Sequence, residues 1–581
     1  PTLGSMVEKR WRVKEVAEGP AGDLAASLSV SPLLAAILHE RGIADPASAE
    51  KFLRPRLRDL HDPFELPDMD RAVERIVGAV RRGESIAVFG DYDVDGVTSA
   101  CLLGEFLESL GARVSSRLPD RALDGYGIRS KAVRELAEEG VQLIVTVDNG
   151  TSAHGALETA RDLGVDVVVT DHHEAPEKLP AAVAVVNPRR ADSRYPFRDL
   201  AGVGVVFKLV WAIAQDFSRG KKVSEEFRNF LLESLALVAL GTVSDVVPLL
   251  GENRVLVKFG LGALEKTRRP GLRLLVEGAL GENSGRGLRA SDLAFRIGPR
   301  LNAAGRLGSA EDAIRVLATR DAGEARELFQ VLERANRRRQ KIEDEIFEEA
   351  ARAVEAEVDL PRARAIVLGR EGWHPGIVGI VASRLVEEFY RPTLLAAIAG
   401  GRAKGSARSI PGVDIAGALS SCKECLVRFG GHEMAAGFEV EPGRLADLRA
   451  ALEAAIPMAP EEMVPEVRVD AALDLEEITW KAVEELSLLE PHGRGNPEPL
   501  FSVEDADVVG TPRLLGSDGR HVAFYVRQGR AAFRAVAFGR GEEYPALARR
   551  GAKASLLVEP RISRWEGRSS IELMARELRV F

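Results

Sequence analysis

The segment Ile86-Ala-Val-Phe-Gly-Asp-Tyr-Asp-Val-Asp-Gly96 joins a short apolar run to a loop rich in aspartate. The run has the length of a buried strand, and residues 97–110 then carry apolar side chains at helical spacing up to Gly111. Similar apolar runs at 143–147, 165–170 and 183–186 are separated by helical segments. Because strands that are apolar on both faces and alternate with helices belong to parallel sheets, the pattern predicts an α/β domain.

Polar clusters follow three of these predicted strands, at the point where each strand ends. They are Asp91, Asp93 and Asp95 after the first strand, Asp148-Asn-Gly150 after the second, and Asp171-His172-His173 after the third. Ligands of open parallel sheets bind outside the carboxyl ends of the strands, so we expect the clusters to share one crevice. Carboxylates with imidazoles suit Mn²⁺ or Mg²⁺. Two such ions about 3.5–4 Å apart activate water and stabilise a leaving phosphoryl oxygen, so the predicted reaction is phosphoester hydrolysis.

Each cluster alone also has a plainer interpretation. The loop at 91–96 is similar to a calcium loop, but the residue six positions after Gly96 is Leu102, where an EF-hand has glutamate. Asp148-Asn-Gly150 alone is typical of a turn. The metal-site interpretation therefore depends on the placement of all three clusters at successive strand ends.

The bulk composition limits the class of protein. The chain has 581 residues, which is too long for one hydrophobic core. Its three cysteines cannot form a disulfide framework, which predicts a reducing, cytoplasmic location, and the sequence holds no unbroken apolar run of transmembrane length. The net charge of −9 argues weakly against a nucleic-acid partner, but residues 501–581 hold 14 Lys and Arg against 10 Asp and Glu.

We predict five segments along the chain. Residues 1–69 combine a tag-cleavage scar before Met6 with an N-terminal extension packed on the domain after it, and residues 70–320 form the first α/β domain. Residues 321–358 form a long charged helix that leads to a second α/β domain at 359–462, whose first helix begins near His374. Residues 463–581 are β-rich and predict a barrel of the OB type. The predicted fold class is α/β, with two α/β lobes joined by a long helix and an attached β-barrel OB-fold domain.

The three clusters resemble the first motifs of the DHH phosphoesterase superfamily, which takes its name from the triplet at 171–173. Gly241-Thr-Val-Ser-Asp245-Val-Val-Pro248 resembles the fourth motif, and Gly430-Gly-His432 resembles the signature of the DHH-associated domain. The stretches 300–306, 373–384 and 406–408 are similar to the RecJ family in particular. By this resemblance, residues 70–320 are the DHH catalytic domain, 359–462 the DHH-associated substrate-binding domain and 463–581 a nucleic-acid-binding OB-fold domain.

The resemblance implies a single-stranded-DNA-specific exonuclease that works from 5′ to 3′ by two-metal-ion catalysis, releases 5′-mononucleotides and acts in DNA repair and recombination. The expected cofactors are two ions of Mn²⁺ or Mg²⁺. The implied metal ligands are Asp91, Asp93, Asp95, Asp148, His172 and Asp245, and the implied catalytic residues are Asp93, Asp95, Asp148, His172, His173 and Asp245. Asp245 ends an apolar helix and is included as a ligand only through the resemblance. The spacing of Asp91, Asp93 and Asp95 leaves open which of them binds which ion.

A further set of residues lies in or beside Gly-rich segments, where backbone and side chains can approach a phosphate closely. The predicted substrate-binding residues are Asn302, Arg306, Arg370, His374, Ser383, Arg384, Ser406, Arg408 and His432. For each of them the alternative is a surface or helix-capping role. Barrel aromatics could stack bases, although alternating aromatics in strands are more often core; they are Phe524, Tyr525, Phe533, Phe538 and Trp565. The expected partners are single-stranded DNA, a single-stranded-DNA-binding protein and a recombination helicase, with no membrane.

Two other functions compete with this hypothesis. One is a DHH phosphodiesterase for short oligonucleotides or cyclic dinucleotides, or a pyrophosphatase, but the extra β-rich sequence favours a longer strand. The other is an inactive scaffold that only binds repair proteins, but such a protein should have lost metal carboxylates and every motif here is filled. Cys422-Lys-Glu-Cys425 has zinc-like spacing without a second pair, so we interpret it as structural.

Overall fold

The computed structural model describes residues 9–14, 18–119, 127–281, 287–565 and 568–581. The chain divides into two compact units. We call the first unit A, which comprises Ala47–Arg338 and Leu489–Pro497. Unit B comprises Pro1–Pro46, Arg339–Leu488 and Glu498–Phe581.

The strands of the described residues are numbered in chain order. They are β1 (Arg10–Val13), β2 (Ser85–Phe89), β3 (Arg113–Arg117), β4 (Leu143–Val147), β5 (Asp166–Thr170), β6 (Ala184–Val186), β7 (Ile366–Glu371), β8 (Thr393–Ala399), β9 (Arg402–Arg408), β10 (Arg428–His432), β11 (Ala435–Val440), β12 (Glu466–Val469), β13 (Ala471–Ala472), β14 (Phe501–Leu515), β15 (His521–Gln528), β16 (Ala531–Ala537), β17 (Lys553–Trp565) and β18 (Arg568–Val580).

The α-helices are numbered in the same way. They are α1 (Glu18–Leu28), α2 (Pro32–Glu40), α3 (Pro46–Leu53), α4 (Met69–Arg82), α5 (Val94–Ser109), α6 (Ser130–Glu138), α7 (His154–Asp162), α8 (Gly202–Phe217), α9 (Glu225–Ser244), α10 (Gly251–Glu265), α11 (Pro270–Leu280), α12 (Ala290–Asp292), α13 (Gly298–Leu307), α14 (Ala310–Ala318), α15 (Ala322–Glu357), α16 (Val378–Phe389), α17 (Ile415–Ser421), α18 (Leu445–Ala455), α19 (Trp480–Leu486) and α20 (Tyr544–Leu547).

Unit A is built around a parallel sheet with the strand order β3-β2-β4-β5-β6. Side chains alternate across it, so that Ile86 and Val88 of β2 join one core while Ala87 and Phe89 join the other. The first core also takes residues of α4, α5, α8 and α9, and the second takes residues of α6 and α7. The predicted parallel sheet covered on both faces is therefore confirmed.

The strand order reverses at β2, which has β3 on one side and β4 on the other. The carboxyl ends are in register, with Phe89 beside Thr146 and Val147 beside Thr170. The loops that follow β2, β4 and β5 therefore emerge together at the point where a parallel sheet forms a crevice. β3 was not predicted, because its sequence, Arg-Val-Ser-Ser-Arg, has no buried apolar run.

Helix α9 has 20 residues and is apolar enough to cross a membrane by length and composition. Leu235, Leu237 and Leu240 of this helix are buried in the core of unit A. Core helices pass the same composition test, and α9 is one of them.

Helix α15 carries the chain from unit A into unit B, and the division falls at Arg338 and Arg339 within it. Ion pairs one turn apart, such as Arg339 with Glu343 at 2.8 Å, support a helix of this length. The long helix and the second α/β lobe were both predicted. The helix after β7 begins at Val378, however, and not near His374 as predicted, because residues 375–377 form a turn, in which the Gly376 N–H donates to His374 Nδ1.

The second lobe, in unit B, has a five-stranded sheet with the order β10-β11-β9-β8-β7. One face packs on α15 and α16, and the other on α17 and α18. In the third domain β14, β15, β16, β18 and β17 pair in sequence, and β14 also pairs with β17. This last pairing closes the barrel, which confirms the predicted OB-type domain.

Only the second part of the N-terminal extension packs on the domain after it, as predicted. Strand β1 pairs in parallel with β12, with Arg10 beside Glu466 and Val13 beside Val469. The first part of the extension therefore belongs to unit B, whose other segments begin only at Arg339. Residues 47–69 belong to unit A.

Candidate metal centre

His172 is the centre of the cluster that forms where β2, β4 and β5 end. Its Nε2 atom lies 3.1 Å from Asp148 Oδ1, 3.5 Å from Asp245 Oδ2 and 3.8 Å from Asp95 Oδ2. Asp148 and His172 come from strand-end loops, whereas Asp245 is the residue that caps the C-terminus of α9. Carboxylate atoms from three separate segments therefore meet around the imidazole nitrogen of a fourth.

Asp95 is buried in the first turn of α5 and is held by the first turn of α8. Its two carboxylate oxygens accept the backbone N–H groups of Gly202 at 2.7 Å and Val203 at 2.8 Å. An added Cβ on Gly202 would lie 2.6 Å from Asp148 Oδ1, and one on Gly241 would lie 2.9 Å from Asp95 Oδ1. The two glycines let α8 and α9 approach the carboxylates more closely than any side chain allows.

Asp148 has a left-handed backbone with a φ of 62°. Such a conformation is uncommon outside glycine, although aspartate and asparagine tolerate it best. The next residue fixes the turn, because Asn149 Nδ2 donates to the carbonyl oxygens of Phe89 and Val147 and its Oδ1 accepts the Ile128 N–H. The turn aims the Asp148 carboxylate at His172.

Asp171 organises the two histidines that follow it. Its Oδ1 accepts the backbone N–H of His172 at 2.7 Å and lies 2.8 Å from His173 Nδ1, while its Oδ2 accepts the Thr151 N–H at 2.9 Å. A carboxylate can only accept, so Nδ1 of His173 carries the hydrogen and Nε2 faces outward. Asp171 is therefore saturated by hydrogen bonds and orients the histidines.

Asp91 and Asp93 occupy different positions although they are two residues apart. Asp93 Oδ1 caps α5 by accepting the N–H groups of Asp95 and Gly96 at 3.0 and 3.1 Å. Asp91 is fully buried, and its Oδ2 has no hydrogen-bond partner among the described residues. Asp93 is left with one carboxylate oxygen outside the cap, whereas Asp91 offers a buried, unpaired oxygen.

Burial dominates the electrostatics of the cluster. Burial, followed by the charge of Asp93, raises the pKa of Asp91 and that of Asp95 to about 7. Burial and the charge of Asp95 raise the pKa of Asp148 and that of Asp245 well above the usual range. Burial and the charge of His173 lower the pKa of His172 to about 3, so this ring is neutral. Crowded carboxylates with a neutral imidazole are the donor set of a divalent cation site.

The residues present therefore fit a divalent metal centre. Two groups of side chains bring ligand atoms within 4.8 Å of one another, namely Asp148 with His172 and His173, and Asp95 with His172 and Asp245. Within the described residues, His172 Nε2 and Asp91 Oδ2 are buried without a hydrogen-bond partner. Buried polar atoms of this kind are costly unless an ion satisfies them.

Two residues that support the centre, Asn187 and Arg189, were not predicted from the sequence. Asn187 directly follows β6 and its Nδ2 donates to Thr151 Oγ1 at 3.0 Å and to the His173 carbonyl at 2.9 Å. Arg189 lies near His172 and Asp245 and is paired with Glu174 and Asp199. Asn187 had a usable signal, because it is the polar residue after the fourth predicted strand.

Two of the predicted substrate-binding residues, Asn302 and Arg306, lie on α13 in the same unit. A Cβ on Gly305 would lie 2.8 Å from the carbonyl oxygen of Tyr92, so α13 packs against the aspartate-rich loop. The structure therefore places these two half-buried side chains on a helix that borders the cluster.

The other predicted substrate-binding residues lie in unit B. Gly379 in the first turn of α16 would place a Cβ 3.0 Å from Ser406 Oγ and 3.1 Å from Arg408 Nη2, so these two side chains lie beside that turn. Arg384 is bound to Glu343 and Asp344 of α15, and Arg370 is paired with Glu357. Ser383 Oγ donates to the Gly379 carbonyl within its own helix, His374 accepts the Gly376 N–H, and His432 is exposed on β10.

The barrel aromatics divide into two kinds. Phe524 is buried in the barrel core, and Phe533 is half-buried. Tyr525 and Phe538 are 50% and 59% exposed. The side chain of Trp565 lies outside the described residues. The alternative of a core role therefore holds for Phe524.

Family models match three stretches of the chain. Residues 85–242 match the model described as "DHH family, N-terminal domain", residues 362–457 match the DHHA1 domain, and residues 469–577 match the RecJ OB domain. The first stretch contains Asp91, Asp95, Asp148 and His172.

Among curated sequences, the chain is similar to proteins named single-stranded-DNA-specific exonuclease RecJ. It is 37% identical to the one from Bacillus subtilis over 98% of this chain and 71% of that protein. It is 38% identical to the one from Escherichia coli over 85% of each.

A solved structure of RecJ from Thermus thermophilus in complex with Mn²⁺ matches 98% of this chain and 79% of that one, with a TM-score of 0.81 at 35% identity. A structure titled exonuclease RecJ bound to manganese matches 70% of this chain and 99% of that one, with a TM-score of 0.59 at 39% identity.

Proposed function

This chain belongs to the RecJ family of DHH phosphoesterases, and from that premise we propose that it removes nucleotides one at a time from the 5′ end of single-stranded DNA. The enzyme is a metal-dependent nuclease, and the ions it uses are Mn²⁺ or Mg²⁺. The observation that carries the proposal is the convergence of Asp95, Asp148 and Asp245 within 3.8 Å of His172 Nε2.

Asp95, Asp148, His172 and Asp245 would hold the ions, with Asp91 as the additional carboxylate of the site. Divalent ions at such a centre supply an activated water and offset negative charge on the phosphoryl oxygens. Asp93 stabilises the start of α5 through its cap and thereby keeps Asp95 in place.

His173 acts on the substrate directly. Its Nδ1 is fixed by Asp171, and its ring is 43% exposed, so Nε2 can reach a phosphate oxygen. Burial alone would lower the pKa of His173, but the hydrogen bond to Asp171 and the charges of Asp171, Asp93 and Asp95 together outweigh burial and raise the pKa. A protonated His173 donates a hydrogen bond to the phosphate at Nε2 and stabilises the charge that develops there.

The DNA strand is held by residues outside the centre. In unit A, Asn302 and Arg306 of α13 are the proposed ligands of DNA near the reacting phosphate. In unit B, Ser406 and Arg408, beside the first turn of α16, are proposed phosphate ligands. Helix N-termini and arginines are the usual ligands of phosphate. Arg370 and Arg384 contribute less, because their charges are already paired with carboxylates.

Further proposals concern the cellular setting. A single strand with a free 5′ end arises during DNA repair and recombination, so a helicase that unwinds duplexes and a protein that coats single strands are its expected partners. The cytoplasm is the expected location, because its reducing conditions suit three free cysteines.

The experiment compares hydrolysis of 5′-labelled and 3′-labelled single strands by the wild type, Asp148→Asn and His172→Ala in Mn²⁺. We expect early release of the label as mononucleotide only from the 5′-labelled strand, and a loss of rate of about 10²–10⁴-fold in both variants. The matched control is Asp166→Asn, because Asp166 lies at the opposite end of β5, half exposed and paired with Arg75. Equal rates in all four proteins would contradict the proposed centre, and early release from the 3′ label would contradict the polarity.

A further inference from the structure

The segment Leu489–Pro497 follows the second α/β lobe in sequence but belongs to unit A. Buried Arg254 donates hydrogen bonds to the carbonyl oxygens of Leu489 at 2.9 Å, Glu490 at 3.0 Å and Pro491 at 3.3 Å. Asn496 Nδ2 donates to the same carbonyls of Leu489 and Pro491 at 2.7 and 2.9 Å. The backbone of the segment is therefore held by Arg254 from outside and by Asn496 from within.

This segment lies directly on the residues that follow Asp245. The Leu249 N–H donates to the Arg494 carbonyl at 2.8 Å. A Cβ on Gly493 would lie 2.6 Å from Leu249 Cδ1, and a Cβ on Gly495, whose φ is +75°, would lie 3.2 Å from Pro248 Cβ. The glycines on either side of Arg494 allow this approach and leave the arginine side chain as the group presented at the surface.

The guanidinium of Arg494 lies beside the metal centre. Its Nη1 donates to the carbonyl oxygen of Val246, the residue after Asp245, at 3.2 Å. Within the described part of the chain Arg494 forms no ion pair shorter than 4.0 Å, whereas Arg189, the other arginine near Asp245, is paired with Glu174 and Asp199.

We propose that Arg494 is a phosphate-binding residue of the nuclease centre and receives a backbone phosphate of the single strand beside Asp245. This inference rests on the proposed function. A strand that approaches a crevice lined by carboxylates needs cations at the rim, and an exposed guanidinium with donors to spare suits a phosphate oxygen.

The alternative is a purely structural role. Val246 lies just past the C-terminus of α9, where a cation commonly satisfies the last carbonyl groups. A cap changes the stability of the protein, but it does not change how DNA binding depends on salt. Each phosphate contact with single-stranded nucleic acid contributes about 0.7 to the slope of log K against log salt.

The test measures binding of fluorescent oligothymidylate in EDTA over a range of NaCl concentrations, for the wild type and Arg494→Gln. We expect the variant to bind about 10-fold more weakly, with a salt slope smaller by about 0.7. The matched control is Arg161→Gln, because Arg161 is an exposed arginine of unit A that is paired with its neighbour Asp162 on α7. An affinity and slope equal to those of the wild type would overturn the inference.

A second measurement needs no variant. The wild-type protein is treated with phenylglyoxal, with and without oligothymidylate, and modified arginines are quantified by mass spectrometry. We expect the oligonucleotide to protect Arg494 and not Arg161, and equal modification of Arg494 in both samples would overturn the inference. If the wild type hydrolyses single strands while both measurements fail, only this inference is lost; if the wild type does not hydrolyse them, the proposed function is lost.

Discussion

Asp171 Oδ1 accepts hydrogen bonds from both the ring Nδ1 and the backbone N–H of His173, at 2.8 and 3.2 Å. The carboxylate is buried, but the hydrogen bond and charge of His173, with the hydrogen bond from the Thr151 N–H, outweigh burial and lower its pKa far below the usual range. Asp171 therefore stays ionised, and it fixes both the tautomer and the orientation of His173.

Replacing Asp171 with Asn removes the charge but keeps the shape. We expect the pKa of His173 to fall, because the group that raises it is gone, and we expect kcat to fall by about 10–100-fold. Ring-proton NMR titration of His173 measures the first effect, and steady-state hydrolysis measures the second. A variant with the wild-type His173 titration would show that Asp171 does not control this ring.

Metal affinity should depend on pH around neutrality. Asp91 and Asp95 have pKa values raised to about 7, so in the metal-free protein they hold protons below pH 7, and an ion must displace them. We expect Mn²⁺ affinity to fall as the pH drops from 8 to 6. Calorimetry in buffers of different ionisation enthalpy should show that Mn²⁺ binding releases protons near pH 7. Binding without proton release would show that the carboxylates are already ionised.

The same carboxylates should make the metal-free protein less stable at high pH. Their folded pKa is raised above the unfolded value, so their contribution to stability is fully present below about pH 4 and is lost as the pH rises through 7. At pH 8, Mn²⁺ at about 100 times its Kd should raise Tm by about 4 °C. Asp91→Asn, which keeps the oxygen that accepts the Gly127 N–H, should raise the Tm of the metal-free protein at pH 8 and reduce the Mn²⁺ effect; an unchanged Tm would contradict this account.

The close approach of α8 to Asp148 at Gly202 should be essential for metal binding. In Gly202→Ala the new Cβ would lie 2.6 Å from Asp148 Oδ1, so we expect a loss of about 1–3 kcal/mol in the free energy of unfolding and weaker Mn²⁺ binding. Gly155→Ala on α7 is the control, because a Cβ there meets nothing within 4 Å. Denaturant unfolding measures the free energy of unfolding, and calorimetry measures Mn²⁺ affinity. Equal losses in the two variants would contradict the argument from close packing at Gly202.

Arg254 should be important for stability, because four carbonyl groups depend on it. It donates to Phe52, Leu489, Glu490 and Pro491, and its guanidinium lies 3.9 Å from the centre of the Phe52 ring. Arg254→Met removes all of these hydrogen bonds, while Asn496 Nδ2 still donates to the carbonyls of Leu489 and Pro491, so we expect a loss of about 2–4 kcal/mol in the free energy of unfolding. The control is exposed Arg268→Met, and a similar small loss in both variants would contradict the role of Arg254.

Much of the centre could be predicted, because parallel strands in register force their following residues together. Asp91, Asp148 and Asp171 were found from this rule alone. Asp245 could not be found in this way, because it reaches His172 through the packing of α9 against α5 and α8, which no local pattern encodes. Arg494 was not predicted either, since the chain leaves unit A and returns before reaching it.

Other differences have local causes. The predicted start of α5 at residue 97 hid the capping role of Asp93, since the helix begins at Val94. An aspartate immediately before a helix is a known capping signal and could have shown it. Strands β1, β3 and β12 were missed because each is short and only partly buried, so none has an apolar run.

The left-handed backbone at Asp148 limits what can replace this residue, whatever the chemistry requires. Asparagine and glycine tolerate that conformation, whereas a β-branched residue would strain the turn before any question of activity arose. In a library of variants at this position, selection for folded protein would therefore enrich asparagine, which lacks the charge. A descendant of this chain with asparagine at position 148 would keep the fold and lose the reaction. Similarity of fold alone would therefore not identify an active enzyme.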